Sequence, residues 1–231
     1  MSLIKWDAVG AHYYENGVDH GVLYALNATT SSGTTWKNGV AWNGLVSVTE
    51  SPDGAEPTAI YADNIKYLNL LSVEEFKATI EAYTYPDEFA ECDGSAELVA
   101  ESGVYVGQQD RKPFCLCYRT KIGNDLSPDA GFKLHLIYNA LAAPTERAYE
   151  TINDSPEAIT FSWEVSTTPV EVEGFKPTAH IVIDSTKVPT AKMKKIMDAL
   201  YGVDADTEHS IEASDPHILM PEDIVDILNA N

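Results

Sequence analysis

The sequence predicts a mainly β protein: an antiparallel β-sandwich or barrel with a flanking helical turn and a short α-helical appendage at the C-terminus. Several segments alternate apolar and polar side chains with a period of two, the pattern of half-buried strands. After Ser185, apolar residues instead recur at helical spacing. We therefore expect two parts, a β domain over residues 1–185 and an α-helical extension over residues 186–231.

The first third of the chain is rich in glycine, asparagine and aromatic residues. The pairs Asn16-Gly17, Asn38-Gly39 and Asn43-Gly44 predict tight turns. The segments "NATTSSGTT" (27–35) and "SPDGAEPT" (51–58) predict loops. The next stretch, "AIYADNIKYLNLLS", is compatible with short strands or with a turn of helix.

A long strand is predicted over Val73–Tyr85, because its side chains alternate in character. Pro86 ends it, and "PDEFAECDG" then predicts a single helical turn. Asp87 and Glu88 lie at the positive N-terminal end of that turn, and Gly94 ends it. We interpret these carboxylates as helix-terminus residues rather than catalytic groups.

Further strands and two helices follow. Amphipathic strands are predicted over Pro113–Lys121, Phe132–Tyr138, Ile159–Thr167 and Thr178–Asp184. Helices are predicted over Thr190–Tyr201, closed by Gly202, and over Pro221–Leu228. Helices this short are marginal alone in water, so we expect them to dock on the β domain.

Charge and cysteine content limit the function classes. The chain has 15 Lys and Arg against 36 Asp and Glu, a formal net charge of −21, which disfavours binding to nucleic acid or to anionic membranes. No apolar run approaches the roughly 20 residues of a membrane helix, and residues 1–10 carry no apolar signal core. Cys92, Cys115 and Cys117 predict a reduced intracellular chain with half-buried thiols.

No motif for a catalytic or metal site is present. The sequence contains no G-x-S-x-G, H-E-x-x-H, P-loop or G-x-G-x-x-G pattern. His135 and His180 lie in predicted strands, and we interpret them as ordinary sheet residues. The D-x-D-x-E pattern at residues 204–208 lacks the glycine and final glutamate of a calcium loop. We therefore expect no catalytic residue, no cofactor, no metal and no enzymatic activity.

Two alternatives stay open from the residues alone. Carboxylates between Glu81 and Glu91, beside tyrosines, suggest a glycosidase, although adjacent acids are common in a chain with 36 of them. Trp36 and Trp42, on predicted Gly-rich loops, suggest a lectin-like carbohydrate-binding β-sandwich module.

Long phrases of the sequence resemble a known family. These phrases are "KWDAVGAHYYENGVDHGVLY", "GVAWNGLVSVTESPDGAEPTAIYADNIKYLNLLS", "ATIEAYTYPDEFAECDGSAE", "GQQDRKPFCLCYRTKIGND" and "KLHLIYNALAAPTERAYETINDSPEAITFSWEVSTTPVEV". In order, from Lys5 to Ser185, they resemble the major tail proteins of long-tailed siphophages that infect Gram-positive bacteria. The segment "NATTSSGTTWK" does not match, and "IDSTKV" and "ILMPEDIVDIL" match less distinctively.

The resemblance implies a structural virion protein with a tail-tube type of β-sandwich. Such proteins are made in the host cytoplasm and form hexameric rings that stack into a tube through which DNA passes. The implied partners are further copies of the chain and the tape-measure, tail-tip and terminator proteins, without specific DNA binding or a membrane. No catalytic residue is implied.

The acidic composition adds an expectation about the tube. A wall that does not grip phosphates has few exposed Lys or Arg side chains, so we expect a lumen of net negative charge. The basic segments Arg111–Lys133 and Lys192–Lys195 are then expected at subunit contacts or outside the tube.

Overall fold

A computed structural model of the chain describes residues 4–31, 33–100, 102–152, 158–205 and 212–230. Its strands in the first half are β1 (Tyr14–Thr30), β2 (Gly33–Trp36), β3 (Val40–Trp42), β4 (Leu45–Glu50), β5 (Asp53–Gly54), β6 (Pro57–Ala62), β7 (Ile65–Leu71), β8 (Glu74–Glu75) and β9 (Lys77–Ala82). Those in the second half are β10 (Ala96–Glu97), β11 (Tyr105–Val106), β12 (Phe114–Gly123), β13 (Gly131–Ala142), β14 (Phe161–Thr167) and β15 (His180–Asp184). The helices are α1 (Ala90–Asp93), preceded by a 3₁₀ turn over Asp87–Phe89, α2 (Thr190–Tyr201) and α3 (Pro221–Asn229).

One antiparallel sheet of nine strands forms the body, which confirms the predicted mainly β fold. Its hydrogen-bonded order is β2-β1-β12-β13-β14-β9-β4, with β15 also paired to β13 and β3 also paired to β1. The sheet rolls back on itself, so that Leu45 at the start of β4 contacts Gly21 of β1. The approach is so close that a Cβ on residue 21 would lie only 2.4 Å from the Leu45 side chain. The result is a barrel-like enclosure with a packed interior.

Irregular residues bend the long strands. Asn139 has φ +47° and lies where β13 changes partner from β15 to β14. In β1, the register with β12 shifts between Asn16 and Asp19 and again before Val22. Gly17 there has φ +69°, so the predicted turn at Asn16-Gly17 is wrong: the pair forms a bulge inside a strand, because β12 continues to pair on both sides.

Two apolar clusters lie on opposite faces of the sheet. The inner core fills the enclosure and centres on Trp163, Phe89 and Ile80, all with no exposed surface. The outer core lies between the sheet and the C-terminal helices, where Leu134 and Leu136 of β13 meet Ile196 and Leu200 of α2. Ile218, Leu219 and Ile224 from the region of α3 complete the outer core.

Strand β12 separates the two cores. Phe114, Leu116 and Tyr118 belong to the inner core, and Cys115 and Cys117 belong to the outer core. The prediction of a half-buried strand with half-buried thiols is therefore wrong for this segment, since all five residues are buried. The helices cover the face that would otherwise meet solvent.

Both C-terminal helices form as predicted. α2 spans the predicted residues, and Gly202 follows it with φ +77°. α3 begins at Pro221, and the Asp223 carboxylate accepts a hydrogen bond of 2.8 Å from the Met220 backbone N–H. The helical turn after Pro86 is also confirmed, with Gly94 left-handed at its C-terminus. No described helix is both long enough and apolar enough to cross a membrane.

The polar segments of the first third are more regular than predicted. The described residues of the segment 27–35, expected as a loop, lie in the hairpin of β1 and β2, in which Leu26 pairs with Trp36 and Thr30 with Gly33. The ambiguous stretch 59–72 is a second hairpin, β6–β7, so the strand alternative is confirmed. The predicted strand Val73–Tyr85 is interrupted at Phe76, between β8 and β9.

Candidate assembly surface and polar clusters

The strands between β4 and β9 form a projecting structure that we call the hairpin arm, residues 53–75. At its root, β4 pairs with β9 in the main sheet. Farther out β5 pairs with β8, and β6 pairs with β7, each as a separate two-stranded ladder. Asp63 and Asn64 form the turn at its tip with φ of +52° and +64°, the conformation of a type I′ hairpin turn.

Apolar side chains of the hairpin arm are exposed. Leu70 is 55% exposed, Leu71 is 71% exposed, and Val73 is 83% exposed. Ile60 lies opposite Leu68 in the ladder, so two apolar side chains share one face. Further exposed large apolar residues of the hairpin arm are Tyr61, Ile65 and Tyr67. A two-stranded hairpin is marginally stable alone, so this surface indicates an interaction site.

Lysine and arginine residues are largely neutralised within the chain. Arg119 makes a two-pronged ion pair with Asp19 at 2.7 and 2.9 Å, and Lys112 lies 2.7 Å from Glu91. Among the described residues, ten basic side chains lie within 4.0 Å of a carboxylate oxygen. They are Lys37, Lys77, Arg111, Lys112, Arg119, Lys121, Lys133, Arg147, Lys187 and Lys194.

These pairs affect both predicted basic segments. In Arg111–Lys133 the partners are Asp93, Glu91, Asp19 and Glu15 of the same chain. In Lys192–Lys195, Lys194 pairs with Asp198 one helical turn away at 2.6 Å. Since these cations already face acids of their own chain, they form no strong positive patch.

The two tryptophans that suggested a sugar platform do not form one. Trp42 is 3% exposed, packs against Phe89 and Trp163, and donates its Nε1–H to the Thr84 carbonyl at 3.0 Å. Trp36 is partly buried against the outer core. The buried ring of Trp42 cannot serve as a sugar platform, so the pair of tryptophans does not support the lectin alternative.

The carboxylates that suggested a glycosidase do not all lie in one place. Asp87, Glu88 and Glu91 line one open groove, whereas Glu81 lies on β9 and accepts a hydrogen bond of 2.8 Å from Ser47. Lys112, which donates to Glu91, holds the pKa of that carboxyl below its usual range. Where the pKa of a described carboxyl group departs from its ordinary value, it is lowered. A glycosidase acid needs a raised pKa.

Two histidines meet a carboxylate at the end of the enclosure. His135 of β13 and His180 of β15 are far apart in sequence, but their Nδ1 and Nε2 atoms are 3.3 Å apart. Glu50, at the end of β4, lies 3.4 Å from His135 and 3.5 Å from His180. Alternation within each strand could not reveal this grouping, because it depends on the pairing of β15 with β13 and on the roll of the sheet. Of the predicted calcium-like pattern, Asp206 and Glu208 lie outside the described residues.

The thiols are buried and protected. Cys92, Cys115 and Cys117 are free. Burial raises the pKa of each to about 12, so the reactive thiolate is suppressed at neutral pH. These cysteines act as small apolar residues of the two cores.

Comparisons with known proteins assign no family to this chain. No family model matches the chain, and no curated protein matches it. Among solved structures it is similar to a chain of the cryo-EM structure of the anti-feeding prophage baseplate, symmetrised sixfold, at 10% identity and a TM-score of 0.35. The match covers 78% of this chain and 97% of that chain. A TM-score this low does not establish a shared fold, so the likeness assigns neither fold nor function.

Proposed function

We propose that this protein is a structural subunit of a phage-type tail that assembles with copies of itself into hexameric rings stacked as a tube. The observation that carries the proposal is the hairpin arm, whose apolar side chains are exposed and whose outer ladders lie apart from the main sheet. A second chain seated on it would bury Leu68, Leu70 and their neighbours.

Open sheet edges support the same proposal. In the described part of the chain, β4 pairs only with β9, and β15 pairs only with β13. The unpaired backbone N–H and C=O groups of an exposed edge strand can form hydrogen bonds with a strand of another chain. A head-to-tail contact that closes into a ring satisfies every edge, and stacking of rings uses a second surface. The hairpin arm is suited to that second contact.

The sequence phrases give the finer assignment. Their resemblance to siphophage major tail proteins supports a tail tube made in the host cytoplasm and located in the virion. Tape-measure, tail-tip and terminator proteins are then the neighbours. The intrachain neutralisation of basic residues supports a lumen of net negative charge, past which DNA moves without specific binding. No membrane, cofactor or catalytic activity is part of the proposal.

Self-assembly is tested by sedimentation and negative-stain imaging of concentrated protein. We expect rings or tubes, favoured by moderate salt, because screening over about 8 Å weakens repulsion between acidic subunits. Leu70→Asp in the hairpin arm should abolish stacked tubes and leave folded subunits, either free or in single rings. The control is Phe175→Asp, which adds the same charge at an apolar residue 80% exposed outside the hairpin arm.

The outcomes separate the proposal from its alternatives. A wild-type protein that stays monomeric at every concentration and salt, including with tail-tip proteins added, would contradict self-assembly. Equal assembly of both aspartate variants would instead show that the hairpin arm is not the contact. A tube reconstruction with a lumen lined mainly by Lys and Arg would overturn the acidic-lumen part alone.

A further inference from the structure

We propose that Glu50, His135 and His180 form a binding site for a divalent first-row transition metal ion, of which Zn²⁺ is the best fit. This proposal is independent of the assembly function. It also contradicts our expectation of no metal site, which rested on the absence of a metal-ligand motif in the sequence.

The spacing of the candidate ligand atoms is that of a tetrahedral site. His135 Nδ1 and His180 Nε2 are 3.3 Å apart. Glu50 Oε1 lies 3.4 Å from His135 Nδ1 and 3.5 Å from His180 Nε2. Zinc bonds of about 2.0–2.2 Å to nitrogen and oxygen imply separations of about 3.3–3.6 Å between ligands at tetrahedral angles. A metal ion at their centre needs little movement of any side chain. Two histidines and one carboxylate also leave a fourth position for water.

Neighbouring groups orient the ligands. His135 Nε2 lies 3.1 Å from the Thr120 hydroxyl, so an Nε2–H that donates to Thr120 leaves the Nδ1 lone pair facing the proposed metal. The Tyr118 hydroxyl donates to Glu50 Oε1 at 2.7 Å. Tyr118 also stacks on His135 with ring centroids 4.6 Å apart, and Phe76 packs against His180 at the same distance. The rings are therefore held in place before any ion arrives.

The local environment favours the metal-binding form of the histidines. Burial lowers the pKa of His135 and of His180, which keeps the imidazoles neutral at physiological pH. Glu50 is partly exposed, with 36% of its side-chain surface accessible, so an ion can enter from solvent. The negative charge of the chain as a whole attracts cations.

A bound ion would join distant parts of the chain. Glu50 ends β4 at the root of the hairpin arm, whereas His135 and His180 lie on the adjacent strands β13 and β15. The ion would fix the root of the hairpin arm to the opposite side of the rolled sheet. At a hundredfold excess over its Kd, an ion bound only to the folded state should raise the Tm by roughly 5–10 °C.

The test is titration of chelator-treated full-length protein with Zn²⁺ by calorimetry, together with Tm measurements. We expect one ion per chain. Glu50→Gln and His180→Gln should each weaken binding roughly 100-fold or more, and Tyr118→Phe, which removes only an orienting hydroxyl, about 10-fold. Glu50→Gln keeps the shape of a partly exposed side chain, so its fold should be retained, and circular dichroism checks this.

The control is His12→Gln. His12 is half-exposed and lies 3.5 Å from Asp7 and 3.3 Å from Asp125, which makes it the natural place for adventitious zinc. Its loss should leave the high-affinity site intact. Cobalt(II) provides a second readout: tetrahedral binding by nitrogen and oxygen gives visible d–d bands without a thiolate charge-transfer band.

Several results would overturn the proposal. The proposal fails if the protein takes up no zinc, or if His12→Gln is the only variant that removes binding. It also fails if the cobalt spectrum shows a thiolate charge-transfer band, because the ion is then bound by a cysteine. If the ion is absent while assembly proceeds, only this inference fails. If the ion binds and no assembly occurs, the metal site stands and the tube proposal fails.

Discussion

The C-terminal helices and the hairpin arm both carry apolar side chains, but the helices bury theirs against the sheet and the hairpin arm leaves its own exposed. The helices α2 and α3 place Ile196, Leu200 and Ile224 against the sheet, where they are at most 6% exposed. The hairpin arm leaves Leu70 and Leu71 more than half exposed. The helices therefore complete the apolar packing of the subunit, whereas the exposed apolar surface of the hairpin arm is the contact that we propose for another chain.

Hydrogen bonds reinforce the contrast. Two buried tyrosines of the sheet donate to backbone carbonyls of the C-terminal region, Tyr24 to Leu200 at 2.6 Å and Tyr138 to Leu219 at 2.8 Å. Both acceptors would be lost if the helices left, and buried hydroxyls without partners are costly. At the hairpin arm the corresponding link is an exposed ion pair of 2.7 Å between Lys77 and Asp53, the kind of contact that adds little stability.

Deletion of either region should have the largest effect, and the two deletions should differ in outcome. Truncation after Ser185 would expose the outer core, so we expect an aggregating or molten product that binds a hydrophobic dye. Replacement of residues 53–75 by Asn-Gly, joining β4 to β9, should leave a soluble, folded protein that no longer stacks. Solubility, circular dichroism and dye binding distinguish the two proteins. A stable, soluble truncated protein would show that residues 186–231 are a separable extension.

Point substitutions should show the same asymmetry on a smaller scale. Leu200→Ala removes a fully buried side chain and should lower the free energy of unfolding by about 2–5 kcal/mol. Leu70→Ala should change it by less than about 0.5 kcal/mol, because the side chain is already exposed in the monomer. Urea denaturation measures both.

Thiol labelling provides a local check on the Leu200 substitution. Cys117 lies in the outer core and Cys92 in the inner core, so Leu200→Ala should speed labelling of Cys117 selectively under native conditions. Equal acceleration at both thiols would point to global unfolding rather than helix release.

The Arg119–Asp19 ion pair at the margin of the helix–sheet contact should contribute only modestly to stability. Arg119, which donates to Asp19, lowers the pKa of that carboxyl in the folded state below 3.8. The stabilisation is therefore complete above the unfolded-state pKa and is lost as the pH falls through the folded-state pKa. Asp19→Asn should cost about 0.5–1 kcal/mol at pH 7 and much less at pH 3.

The control for the ion pair is Asp110→Asn, which alters an exposed carboxylate. Urea denaturation at the two pH values measures the change for both variants. A penalty for Asp19→Asn that does not depend on pH would show that the carboxylate acts through packing instead of charge.

Local patterns in the sequence were sufficient for much of the fold. Period-two alternation identified the strands that became β9, β12, β13, β14 and β15, and helical spacing with terminal proline and glycine identified α2 and α3. These signals are local, since a strand or helix with one buried face must carry its apolar residues at a fixed period. The flanking turn at Asp87–Asp93 followed from proline, acids and glycine in the right order.

Long-range pairing decided the rest. Asn16-Gly17 became a bulge because β12 pairs on both sides of it. The described residues of the segment 27–35 form a hairpin although their composition is that of a loop. Burial on both faces of β12 required the helices on one side and the rolled sheet on the other. The meeting of Glu50, His135 and His180 arises in the same way, from three strands brought together by curvature. A period in the sequence specifies which side chains share a face, whereas the tertiary structure alone specifies which faces meet, because contacts between distant strands leave no local pattern.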